Sequence, residues 1–235
     1  MAQRETGRKT GMSSRSCEIL IPYGRANAAS AGPALHIVAG ATLRLSDGPY
    51  PFAEPPDLIG AATTAARLDL LRDHLHTLCR PWDKLAQLFL DAYFARIAAA
   101  IAAADGELRA LAAASGGLFA PEHWSFSALR PLPQAHLPPG DGAPVRVEFA
   151  FWTGERLIAI ELEGSGTPRK ARRDELARLE AVDALLVRVP GAALQEQGER
   201  LLAALLPPPF QRFWDGVTLP SGPFGPDALG EIVAG

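Results

Sequence analysis

Residues 145–164 read VRVEFAFWTGERLIAIELEG, and the fold is decided by this stretch. Val145, Val147, Phe149 and Phe151 alternate with their neighbours at the period of two that marks a strand through Trp152. Thr153-Gly154-Glu155 is a tight turn. Arg156 to Glu163 (RLIAIELE) is a second strand, apolar nearly throughout at first, which suits a central position in a sheet. A turn centred on Gly154 sets Glu148 across from Glu161 or its neighbour. Residues two apart on a strand share a face, so Glu161 and Glu163 point the same way.

Downstream, Gly164-Ser165-Gly166 leads to a helix over Pro168 to Ala181, with Thr167 as N-cap and Pro168 in the first turn. Ala184 to Val189 is another buried strand, ended by Pro190-Gly191. Ala192 to Leu206 is a closing helix, stopped by three prolines at 207–209. Upstream, residues 133–144 are a turn-rich connector, and His123 to Leu132 alternates as a strand. Glu107 to Ala114 is a short helix stopped by Ser115-Gly116-Gly117. Trp82 to Ala104 is a longer helix with Leu85, Leu88, Phe89, Ala92, Tyr93 and Ile97 on one apolar face. Residues 58–80 have helical spacing through Leu68, Leu71, Leu75 and Leu78, and Pro81 starts the next helix. The proline-rich segment 46–57 is a loop. Cys17 to Tyr23, Leu35 to Ala41 and Thr42 to Leu45 read as strands, the last two as a hairpin.

The expected fold class is therefore α/β: a mixed β-sheet core in the order α-β-β-β-α-β-α, flanked by helices, with an N-terminal mostly helical lobe. Short turns make the early strands an antiparallel meander, and the strand-helix-strand unit makes the last pair parallel. The expected boundaries are a disordered leader at 1–16, a strand and helix lobe at 17–81, the core at 82–206 and a Pro/Gly-rich tail at 207–235. Met12 is an alternative start.

Composition narrows the function classes. Hydrophobic residues are 48% and charged residues 21%, as in a folded globular chain. The net charge of -3 argues against nucleic-acid binding by overall charge, so such binding needs a local patch. Cys17 and Cys79 alone make neither a disulfide framework nor a four-ligand zinc site. No uncharged apolar run reaches the roughly 18 residues of a membrane span, and the N-terminus lacks the apolar middle of a secretory signal. A cytoplasmic location with no membrane partner is expected.

Two features carry chemistry. Glu148, Glu161 and Glu163 would converge if the hairpin pairs as expected. Three unpaired carboxylates repel one another, and a hard divalent cation such as Mg²⁺ relieves that repulsion. A metal so held activates water and stabilises charge on a phosphoryl group. The plainer reading is that these glutamates are solvated or paired with Arg146 or Arg156. The second feature is Arg169, Lys170, Arg172 and Arg173 at a helix start, where the helix dipole disfavours cations. They suit a phosphate backbone, or else pair with Glu163, Asp174 and Glu175 on a solvated face. His74 and His76, two apart on a helix, cannot chelate one ion together, and Cys79 reads as a small buried apolar residue. Gly164-Ser165-Gly166 lacks a following Gly-Lys-Ser/Thr and reads as a turn.

The strings Glu161-Leu162-Glu163-Gly164, Arg173-Asp174-Glu175-Leu176 and Leu186-Val187-Arg188-Val189 are similar to those of the restriction-endonuclease-like nucleases, whose pattern is written PD-(D/E)xK. The branch most resembled is that of very-short-patch repair endonucleases, and the likeness spans residues 82–206. It implies that Glu148 holds the place of the first metal-binding Asp and that Glu161 is the second ligand. Glu163 stands where many members have a Lys and this branch an acidic residue. Glu148 is one methylene longer than the usual Asp, and Ser165-Gly166-Thr167 replaces a His often found after the Gly. The implied function is metal-dependent hydrolysis of phosphodiester bonds in DNA or RNA, with Glu148, Glu161 and Glu163 as catalytic and Mg²⁺-binding residues. Arg169, Lys170, Arg172 and Arg173 would hold the nucleic acid. The alternative is a catalytically inactive nuclease-fold subunit that binds nucleic acid or protein. The helical lobe offers a face for a homodimer or a protein partner.

Overall fold

The computed structural model describes residues 16–20, 34–38, 42–46, 60–137, 144–154, 156–164, 177, 179 and 184–205. Two short strands come first, β1 (Ser16–Leu20) and β2 (Ala34–Val38). Three helices follow, α1 (Thr64–Leu78), α2 (Lys84–Ala103) and α3 (Asp105–Ala114), and then a 3-10 helix over Pro121–Ser127. Six strands come next: β3 (Leu132–Pro133), β4 (His136–Leu137), β5 (Val145–Arg146), β6 (Phe149–Trp152), β7 (Leu157–Glu163) and β8 (Leu185–Pro190). Helix α4 (Gly191–Leu205) closes the described chain. Helices and a mixed four-stranded sheet make the fold broadly α/β.

That sheet has the order β3-β6-β7-β8. β6 is antiparallel to β3 and to β7, whereas β7 and β8 are parallel. Gly154, at φ 91, makes the turn between β6 and β7, a backbone region that glycine enters without a steric penalty. β7 is central and buried along all but its last residue. A second sheet has the order β2-β1-β4-β5.

The two sheets share one ribbon. Leu132 pairs with Ala150, Pro133 with Phe149, His136 with Arg146 and Leu137 with Val145, all in a single register. Between these pairs the ribbon kinks at Gln134, whose φ of 53 is uncommon for a residue with a side chain. Two backbone bonds carry the ladder across the kink: Gln134 N–H donates to the Glu148 carbonyl at 2.8 Å and Val147 N–H to that of Ala135 at 2.8 Å. The expected single strand over 145–152 is therefore β5 and β6, with Glu148 at the joint.

The core lies between α2 and the mixed sheet. Phe89 of α2 stacks on Phe149 with centroids 4.6 Å apart, and Tyr93 lies 5.4 Å from Phe151. The Tyr93 hydroxyl, fully buried, donates to the Leu129 carbonyl at 2.7 Å, which satisfies the polar end of an otherwise apolar side chain. By composition α2 is long and apolar enough to cross a membrane, yet Phe89, Leu90, Tyr93 and Ile97 are buried in the protein's own core. At the start of α4, a Cβ on Gly191 would sit 2.6 Å from the Glu163 carbonyl oxygen and 2.8 Å from Leu85, so only glycine lets this turn meet both β7 and α2.

Several local expectations give way. α1 begins at Thr64, capped by the Thr63 side chain, rather than at 58. α2 begins at Lys84 with Asp83 as its N-cap, which leaves Trp82 outside the helix. Residues 123–127 are 3-10 helix rather than strand. There the Ser127 hydroxyl donates to the Trp124 carbonyl at 2.6 Å, and His123 Nδ1 accepts the Ala120 N–H. Such local side-chain bonds compete with strand pairing despite the alternating pattern. Residues 133, 136 and 137 belong to the ribbon rather than to a connector. β2 pairs with β1, not with 42–45, where Arg44 makes one isolated bridge to Leu129. Of the helix expected over 168–181, Ala177 and Leu179 are helical and the remainder lies outside the described residues, as do residues 1–15 of the expected leader, whose last residue Ser16 begins β1, and the tail at 207–235.

Candidate functional site

The ribbon kink gathers a polar cluster in an apolar region. Glu148 is 1% exposed, yet both its carboxylate oxygens are engaged. Gln134 Nε2 donates to Oε2 at 2.7 Å, and Arg146 Nη2 donates to Oε1 at 3.1 Å. Arg146 Nη1 also donates to Gln134 Oε1, closing a three-membered ring of contacts. Burying a carboxylate costs several kcal/mol unless a cation and hydrogen bonds replace its water, and here both are supplied. The ring also holds Gln134 in its uncommon backbone conformation.

A second carboxyl group faces Glu148. Asp83 accepts the Ala86 N–H at 3.0 Å as the N-cap of α2. Burial pushes the Asp83 carboxyl up from its ordinary value, and the Ala86 N–H bond opposes that rise. The neighbouring Glu148 carboxyl raises it further, while Arg146 lowers it. Cys79 lies beside them, buried and free. Its thiol is pushed up to about 12, first by burial and then by the charges of Asp83 and Glu148. A thiol so placed is protonated at neutral pH and is no nucleophile.

Glu161 and Glu163 are placed differently. Phe149 and Phe151 face α2, and Ile160 and Ile158 pair directly with them, so they share that face. Alternation along β7 then turns Glu161 and Glu163 to the face away from α2. Glu161 is 6% exposed and level with Arg188 of β8, while Glu163 is exposed at the strand end. Glu148 departs from regular pairing, because its N–H donates to the Ile160 carbonyl at 3.1 Å although Phe149 is the partner of Ile160. Its carboxylate meets Asp83 at the N-terminus of α2.

Among the described residues, no group of three or more His, Cys, Asp or Glu side chains is placed to hold a metal ion. The expected convergence of Glu148, Glu161 and Glu163 on one Mg²⁺ is thus not the arrangement seen. Carboxylate oxygens suit a hard cation, but those of Glu148 are occupied by Gln134 and Arg146. As arranged, this donor set does not fit the ion. The plainer expectation of a pairing with Arg146 describes Glu148. Arg156 is exposed at the start of β7. The basic run Arg169, Lys170, Arg172 and Arg173 lies outside the described residues. His76 meets Asp91 at 3.1 Å, and burial followed by the Arg130 charge lowers the His74 pKa.

Asp83 and Gln134 are the site residues that pattern reading missed. Asp83 carries a legible signal as a capping residue ahead of an apolar helix. Gln134 carries none, because its role depends on a kink formed by residues on both arms of the ribbon.

No protein-family model matches the chain, and neither do any curated proteins or solved structures.

Proposed function

We propose that this chain is a restriction-endonuclease-like module that binds nucleic acid without metal-dependent hydrolysis, acting in the cytoplasm. The observation that carries the second half of this reading is the state of Glu148: it is buried and both oxygens are spoken for by Gln134 and Arg146. A carboxylate already neutralised by a guanidinium and hydrogen-bonded on each oxygen gains less from a cation. The first half is supported by the sequence strings at 161–164, 173–176 and 186–189 and by the basic run at 169–173, which suits phosphate. The finer arrangement α-β-β-β-α-β-α over residues 82–206 is part of the proposal.

The hydrolytic reading has one observation in its favour. Asp83 and Glu148 are a close carboxyl pair, and a divalent cation is one remedy for such a pair. That reading needs Arg146 to release Glu148.

One experiment separates the two. The full chain is mixed with labelled single- and double-stranded DNA and RNA in Mg²⁺ or Mn²⁺. The expected outcome is retarded migration with no shortening of the strands, and no heat of Mg²⁺ binding by calorimetry. Cation-dependent cleavage that disappears in Glu148→Gln and Glu161→Ala would replace the binding reading with the hydrolytic one.

A further inference from the structure

The turn between α1 and α2 carries the residues Arg80-Pro81-Trp82-Asp83-Lys84, and Trp82 is 74% exposed. Among the described residues the other large exposed apolar side chains are Leu70, Leu111 and Leu118, all aliphatic. Trp124 and Trp152, by contrast, are buried. An indole left in water forgoes a large favourable burial, so this position is set apart from the core helix that follows it.

The turn is rigid. The Cys79 N–H donates to the His76 carbonyl at 3.1 Å, the Asp83 N–H to that of Arg80 at 2.9 Å, and the Lys84 N–H to that of Trp82 at 3.1 Å. Cys79 is buried on one side of the turn, and Asp83 is tied to the helix start by its capping bond on the other. The braced backbone presents the ring at a fixed point of the surface. Arg80 and Lys84 flank it, both exposed. Arg80 has no ion-pair partner among the described residues, and Lys84 reaches only Gln87 Oε1, at 3.3 Å.

We propose that the turn at residues 80–84 is a stacking platform for an unpaired base of single-stranded nucleic acid, with Trp82 under the base and Arg80 and Lys84 on the flanking phosphates. A flat aromatic face between two cations matches the alternation of base and phosphate along a strand. An unpaired base offers a free π-face, whereas a base inside a duplex is already stacked. This inference rests on the nucleic-acid reading above and names its ligand class. Chain adjacency places the platform one residue from Asp83, at the edge of the acidic centre.

The test uses the full chain and a fluorescein-labelled oligothymidylate of about 12 nucleotides, followed by anisotropy in EDTA. Trp82→Ala and Trp82→Leu are expected to weaken binding roughly tenfold, while Trp82→Phe stays close to the parent. The Leu variant separates stacking from mere apolarity. Arg80→Ala with Lys84→Ala removes two phosphate contacts and is expected to lower the slope of log affinity against log salt by about 1.4. Unchanged melting of the Trp82 variants serves as the folding control, since this side chain is in solvent. If the parent binds and every Trp82 variant binds equally well, the platform is overturned and the nucleic-acid reading stands. If the parent binds no oligonucleotide, that reading fails and the platform with it. Trp82-dependent self-association without oligonucleotide binding would assign the turn to a protein contact and overturn the proposal.

Discussion

The two ends of the β6–β7 pair use the same backbone and opposite chemistry. At one end Phe149 and Phe151, paired with Ile160 and Ile158, pack against Phe89 and Tyr93. At the other, Glu148 is just as buried but must be compensated residue by residue through Arg146 and Gln134, with Asp83 pressing on it. The apolar end stabilises by removing surface from water, which tolerates small errors in placement. The acidic end depends on particular partners, so its balance is lost when any one is removed. A protein keeps such an arrangement where it also sets a specific conformation, here the kink that passes one ribbon from sheet to sheet.

The largest effect is expected from breaking the apolar end. Phe149→Ala removes the ring stacked on Phe89 and leaves a cavity, at a cost of about 3–5 kcal/mol measured by urea unfolding. A cost below about 1 kcal/mol would mean that the two rings do not share a core.

The acidic end is broken most cleanly from the cation side. Arg146→Ala leaves Glu148 buried and unpaired, for an expected loss of about 2–4 kcal/mol. Adding Glu148→Gln to that variant should recover part of the loss, because the stranded charge goes with it. Strict additivity of the two changes would show that Arg146 and Glu148 do not act as a pair.

The smallest effect sharpens the comparison through pH. The folded-state value of Asp83 is raised above its ordinary 3.8, so the folded protein holds this proton more tightly than the unfolded chain does. Its contribution to stability is therefore full below 3.8 and is lost as pH rises through the folded value. Asp83→Asn keeps a good N-cap and removes the titration. Melting curves across this range should show the parent losing stability relative to Asp83→Asn as pH rises, by less than about 1 kcal/mol. Parallel curves would mean that folding does not raise the Asp83 carboxyl.

The regular parts of this fold were legible because they depend on local pattern. The apolar spacing of α2, the glycine turn at 154 and the alternation of β6 each follow from a few neighbouring residues. The register that sets Glu148 beside β7 was also within reach, since a tight turn leaves little choice. What misled was a pattern shared by two structures. The alternation in 123–127 fits a strand as well as a 3-10 turn, and proline at 121 with two serines tipped the balance. The carboxylates misled for a different reason. Counting by twos put all three on one face, but the ladder is irregular at Glu148, and no sequence rule marks that position.

Taken alone, the order of residues determined which segments are apolar on one side, where the chain turns, and that acidic residues fall at the strand ends of a mixed sheet. Those are properties of windows a few residues long. Only the tertiary structure decided what each acidic group meets. Gln134 and Asp83 reach Glu148 from 14 and 65 positions away in the chain, across a kinked ribbon and a helix start. The sign of the environment around a buried charge is set by such distant neighbours, because in a medium with little water each of them counts for more than anything next to it in sequence.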